Sequence, residues 1–224
     1  MTHISSKINA FLDSLNCKQT LIGVTKYSEV DVIKQAFDCH LYDYGENRLE
    51  SLERKAKILE EKIGSSYRKV SWHFIGKIQG NKIKKLLEVK GLKYIHSLCS
   101  LKHLIEIEKY STKEIHVFIQ FNTSGEEKKG GLKDLKDFEK IGAWFKNHPH
   151  GHVKFAGLMT MAKAGDDPFL KEARCCFERL VELKKCLTQE GFQSLALSMG
   201  MSRDYEVALE LGADYIRVGS KIFQ

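Results

Sequence analysis

Short apolar runs alternate with amphipathic stretches from one end of the chain to the other. Runs near 20–26, 41–45, 70–75, 93–97, 115–122, 153–161, 194–199 and 214–219 read as strands. Between them apolar residues recur at helical spacing, most clearly over 46–62, 78–89, 132–147, 168–190 and 202–212, and an opening helix at about 3–15 precedes the first strand. This alternation predicts a parallel sheet with helical crossovers. Eight strands suffice to close a (β/α)8 TIM barrel, and 224 residues fit a minimal version of a fold that usually takes about 250. A doubly wound open sheet is disfavoured because no Gly-x-Gly-x-x-Gly turn follows the first strand. The length is that of one core, so residues 1–224 are expected to form a single barrel domain.

The same periodicity singles out a lysine. In Leu-Ile-Gly-Val-Thr-Lys (21–26), alternation puts Ile22, Val24 and Lys26 on one face, so Lys26 is expected to end a buried apolar row. Loss of hydration disfavours the charged form of an amine and frees its lone pair for condensation with an aldehyde. At the other end of the chain Ser198 and Ser202 bracket a loop around Gly200, with Ser202 placed to cap the next helix. Gly219 and Ser220 end the last strand, and in a closed barrel the loops after the last two strands commonly hold a phosphate. Arg217 lies in the otherwise buried run Tyr-Ile-Arg-Val-Gly, where a guanidinium needs a partner. Barrel closure makes the first and last strands neighbours and brings Lys26 and Arg217 to one mouth.

Composition narrows the function classes. No run approaches the roughly 18 uninterrupted apolar residues of a membrane span, and the polar amphipathic start is unlike a signal core, so a cytosolic protein without membrane association is expected. The cysteines at 17, 39, 99, 175, 176 and 186 form no Cys-x-x-Cys pair and no metal-ligand spacing with the histidines, so no metal is expected. A net charge of +7 and a pI near 9.0 raise the question of nucleic acid. Only seven of the 36 basic residues are arginines, and the lysines mostly sit beside glutamates on helix faces, as in 53–62. The denser run Lys77, Lys82, Lys84, Lys85 lacks an aromatic stacking platform, so no nucleic-acid partner is expected.

The segments GVTK, YGENR, WHFIGKIQGNK, FNTSGEEKKGG, GLMTMA, LSMGMSRD and YIRVGSKIF, in that order, resemble the pyridoxal phosphate homeostasis proteins, the YggS or PROSC family. These are relatives of the N-terminal barrel of alanine racemase, a fold type III barrel that binds pyridoxal 5′-phosphate (PLP). The resemblance implies a Schiff base between PLP and Lys26, with Asn47 beside the cofactor ring and His73 near it. It implies contacts from Ser198, Met201, Ser202, Gly219 and Ser220, the serines and glycine around the phosphate, and Arg217 at the ring nitrogen. An arginine there donates and cannot accept, so it keeps the nitrogen unprotonated and the ring a poor electron sink. The implied function is carriage and buffering of PLP in vitamin B6 and amino-acid homeostasis, with PLP-dependent apoenzymes as acceptors and a monomer as the oligomeric state. Lys129, matching the family lysine of the 121–131 segment, is expected to offer a second amine, with Lys128 beside it.

The competing reading is a low-activity PLP enzyme such as an amino-acid racemase, with Tyr44 or His73 as a second acid. Racemisation needs two bases, and alanine racemase draws its second from a C-terminal domain that is not expected here. The chain departs from the family pattern at Tyr27-Ser28-Glu29 and Lys163, where proline is usual, and at Ser220, Lys221 and Gln224. Serine for threonine at 220 keeps the hydroxyl.

Overall fold

The computed structural model describes residues 3–15, 18–127, 129–163 and 169–224; Cys17 and Lys128 lie outside them. Eight parallel strands close into a barrel in sequence order. They are β1 (Thr20–Val24), β2 (Asp43–Glu46), β3 (Ser71–Phe74), β4 (Leu92–Leu98), β5 (Ile115–Gln120), β6 (Val153–Met159), β7 (Ala196–Met201) and β8 (Tyr215–Val218). Closure is made by β1 against β8, with Ile22 opposite Arg217 and Gly23 opposite Val218.

The helices form the outer layer: α1 (His3–Asp13), α2 (Val30–Asp38), α3 (Leu49–Ile63), α4 (Ile83–Glu88), α5 (Leu101–Tyr110), α6 (Leu135–Asn147), α7 (Phe169–Gln189), α8 (Tyr205–Glu210) and the single turn α9 (Ser220–Phe223). Each buries the stripe its sequence supplies. In α3 that stripe is Leu52, Lys55, Ala56 and Leu59, at helical spacing, and one member is a lysine. Trp72 and Tyr44 are fully buried, ring against ring at 5.5 Å. The Tyr44 hydroxyl donates to the carbonyl of Leu41, 2.5 Å away, and lies 3.3 Å from that of Ile33.

Several boundaries differ from the pattern. The first strand stops at Val24, because Thr25 turns its hydroxyl onto Glu46 and Ser28 N closes a turn on the Thr25 carbonyl at 2.8 Å. The second begins at Asp43, after His40 takes a positive φ of 64°. α6 starts at Leu135 rather than 132, since Asp134 caps it by accepting from Asp137 N at 3.1 Å and Leu132 pairs with Phe121 instead. Among the described residues no helix is long and apolar enough to cross a membrane.

Candidate functional site

A cavity of about 490 Å³ opens at the C-terminal ends of the strands, a size within the range of small-molecule sites. Of the residues singled out in the sequence, Lys26, Asn47, Met201, Ser202, Arg217, Gly219 and Ser220 all line it. They come from the ends of β1, β2, β7 and β8, elements far apart in sequence and adjacent around the barrel. Apolar walls are supplied by Val24, Ile75, Met159, Met161 and Phe169. Among the described lining residues four side chains are cationic, Lys26, Lys163, Arg203 and Arg217, and one, Asp204, is a carboxylate. That balance suits an anionic ligand.

Lys26 is exposed in the turn after β1, its amine 4.8 Å over the Tyr27 ring. The expected burial of this lysine therefore does not hold. The strand ends two residues early, which lifts Lys26 off the apolar row and onto the cavity rim. The turn itself is held from beneath. Lys55 of α3, 2% exposed, donates to the Thr25 carbonyl at 2.5 Å and to Glu46 Oε1 at 2.6 Å, and the Thr25 hydroxyl donates to the same carboxylate oxygen at 2.7 Å. A buried ion pair thus joins α3, β2 and the segment carrying Lys26. Sequence reading passed over it, although a lysine on the apolar stripe of α3 was the available signal.

Arg217 is buried at the cavity floor. It donates through Nη1 to Ser198 Oγ at 2.7 Å and through Nη2 to the Thr160 carbonyl at 2.8 Å. Burial lowers its pKa to about 10, partly offset by nearby Asp204, so it remains a cation at neutral pH. Asp204 is held the other way, its pKa raised chiefly by burial. Its Oδ1 accepts from Met201 N at 2.5 Å while its buried Oδ2 has no partner.

Three expectations are revised. Asp204, not Ser202, occupies the N-cap position of α8, and the Ser202 hydroxyl instead accepts from Gly219 N at 3.2 Å, tying the β7 loop to the end of β8. Ser198 does not line the cavity. It is fully buried, and its hydroxyl is engaged by Arg217 and by His96 Nδ1 at 2.9 Å, because the strand's alternation turns residue 198 into the barrel interior. His73 also lies in the interior, bonded to Asp43 and His96. Tyr44 is buried toward α2, so neither of the two acids considered for racemisation reaches the cavity.

The remaining candidates are placed as follows. Asn47 sits in the link between β2 and α3, where a Cβ on Gly76 would come within 1.9 Å of its carbonyl oxygen. Lys129 donates to the Ala162 carbonyl at 2.6 Å and pairs with Glu126 at 2.5 Å, fastening its loop to the exit of β6. Lys221, on α9 rather than on a strand, pairs with Glu206 and lies over Tyr205. Arg203, stacked 4.2 Å from the Phe169 ring, is a lining cation that motif reading did not select.

A barrel whose closing strands deliver an amine, a guanidinium and a serine–glycine cup to one mouth belongs to a definite class, and residues 22–224 match the family described as alanine racemase, N-terminal domain. Within that class the chain belongs to the pyridoxal phosphate homeostasis protein family. It is 36% identical to the protein of that name from Aquifex aeolicus, over 93% of this chain and 87% of that one. To the Caenorhabditis elegans protein it is 31% identical, covering 96% and 91%, and to the human protein 32%, covering 91% and 75%. The structure of PipY from Synechococcus elongatus with PLP bound superposes with a TM-score of 0.82 at 25% identity, over 99% of this chain and all of that one. Alanine racemase from Clostridium difficile shares the fold, with a TM-score of 0.78 at 12% identity, and this chain covers 56% of it.

Proposed function

We propose that this protein binds pyridoxal 5′-phosphate covalently through the Lys26 amine and carries or buffers it in the cytosol, releasing it to PLP-dependent apoenzymes. The observation that carries this reading is the convergence of Lys26 from β1 with Arg217, Gly219 and Ser220 from β8 on one cationic cavity. The donor set fits the group. Ser202, Gly219 and Ser220 would hold the phosphate, and Gly219 packs so tightly that a Cβ there would lie 3.0 Å from the Val24 carbonyl. Arg217 would face the ring nitrogen, with Asn47 and Met201 flanking the ring. When bound, the cofactor supplies an aldehyde that exchanges between amines.

The chain's own residues favour holding over turnover. Arg217 keeps its charge and its donor role at neutral pH, so it does not hand a proton to a ring nitrogen. Lys26 on the rim is accessible to a competing amine, which suits exchange and release. Tyr44 and His73 are committed elsewhere, leaving Lys26 without either of the acids considered for two-base chemistry.

The test is covalent trapping. Wild-type protein incubated with PLP and reduced with borohydride is expected to carry one pyridoxyl group on the peptide containing Lys26, with a visible band lost on reduction. Lys26→Ala is expected to show neither. Wild-type protein free of pyridoxyl label at Lys26 would refute the reading, and Cα proton–deuterium exchange of free amino acids well above the Lys26→Ala background would replace the carrier with an enzyme.

A further inference from the structure

Beneath the cavity the barrel interior holds a line of polar side chains that the binding site itself does not use. Asp43 on β2, His73 on β3, His96 on β4 and Ser198 on β7 lead from the N-terminal rim of the barrel to Arg217. His73 Nε2 lies 2.9 Å from Asp43 Oδ1, His73 Nδ1 2.9 Å from His96 Nε2, and His96 Nδ1 2.9 Å from Ser198 Oγ. Arg217 Nη1 completes the line, 2.7 Å from the same hydroxyl. His73, His96 and Ser198 are fully buried, while the Asp43 side chain is 28% exposed.

Proton counting gives the line a direction. Arginine has no acceptor, so Ser198 Oγ accepts from Arg217 and has one hydrogen left to give. Given to His96 Nδ1, that hydrogen makes the ring nitrogen an acceptor with its proton on Nε2. At the other end a carboxylate only accepts, so His73 donates through Nε2 and accepts through Nδ1, where His96 Nε2–H points. With both rings neutral, the carboxylate end fixes both tautomers, since His73 Nδ1 must accept from His96 Nε2–H, and the serine end accommodates them.

We infer that Asp43, His73, His96 and Ser198 form a one-directional hydrogen-bond wire whose role is to position Arg217. They are positioning residues. Through the Thr160 carbonyl and Ser198 the guanidinium has two fixed anchors, and the wire orients the second. An added proton on either ring would face two N–H groups toward each other or turn the serine hydrogen back onto Arg217, loosening that anchor.

The surroundings keep both rings neutral. His73 faces Asp43, His96, the Tyr94 ring stacked at 4.3 Å, Tyr215 and the more distant charge of Lys93. His96 faces His73, Tyr94, Tyr215, Ser198, Arg217 and the Phe118 ring stacked at 4.3 Å. Burial disfavours the imidazolium of both, and His73 and Arg217 add to the effect at His96.

The first test is nitrogen-15 NMR of the histidine rings, in protein without added PLP at pH 7. Both are expected neutral with the proton on Nε2; a proton on Nδ1 of either, or a charged ring, overturns the wire. Ser198→Ala is expected to speed exchange of the Arg217 guanidinium protons and release the His96 tautomer, while Ser198→Thr restores both. Wild-type behaviour in Ser198→Ala would overturn the positioning role. Asp43→Ala, at the solvent-facing end, is the second variant should Ser198→Ala fold poorly: it is expected to release the His73 tautomer, and an unchanged tautomer refutes the wire's direction. The consequence for PLP rests on the proposed function: Ser198→Ala should bind it about tenfold or more weakly, the scale of a hydrogen bond to a charged group. The NMR readouts need no cofactor, so failure of PLP binding and failure of the wire are separately visible.

Discussion

Two fully buried histidines make the interior of this barrel sensitive to acid. Burial lowers the pKa of His73 and, much further, of His96 below the ordinary 6.5. The unfolded chain therefore binds protons below about pH 6.5 that the folded chain refuses, and stability falls as pH drops through that window. Each refused proton is worth up to about 1.4 kcal/mol per pH unit. Urea unfolding at pH 7 and pH 5 should show lower stability at pH 5, and a His96→Phe variant should show a shallower dependence. Gly76 makes a second prediction at this scale. A Cβ there would meet the Asn47 carbonyl at 1.9 Å, backbone against side chain with no flexible end to yield. Gly76→Ala should cost about 1–3 kcal/mol, the scale of overpacking, and should displace Asn47, measurable as weaker PLP binding alongside the lower denaturant midpoint.

Among the elements, α3 does more than cover the barrel, because its Lys55 reaches the turn that presents Lys26. Removing one partner of a buried pair leaves the other charge uncompensated, so Lys55→Met should destabilise by about 3–5 kcal/mol. Denaturant unfolding checks this, and the double variant Lys55→Met/Glu46→Leu should recover most of the loss if the penalty is the orphaned carboxylate. The eight strands and their closure were legible because alternation of short apolar runs with helical stripes depends only on which residues are buried. Strand ends were not, since side-chain hydrogen bonds set them: Thr25 onto Glu46 stops β1, and Asp134 onto Asp137 N starts α6. The cavity residues were recognisable from segments at strand ends, while the placement of Ser198 and His73 depends on partners from other strands that no local pattern names. The surprise at Lys26 has the same origin, since the period of two was right for Ile22 and Val24 and failed where the strand gave way to a turn.

Taken whole, the molecule is a ring of strands whose proposed binding residues cluster around the junction of β1 and β8. A ligand bound there adds its free energy to the native state alone. PLP at about 100 times its dissociation constant should stabilise the protein by about 2.7 kcal/mol, which for a chain of this size raises the melting temperature by about 5–10 °C. Differential scanning calorimetry with and without PLP tests it, and Lys26→Ala should abolish most of the shift. Closure at that junction also has a temporal side. On the closing side Thr20 through Gly23 pair with Tyr215 through Val218, so a nascent chain presents Lys26 early and its serine–glycine cup last. Occupancy by the cofactor would then work as a clasp, reporting that the ring has shut and resisting its reopening along this one line.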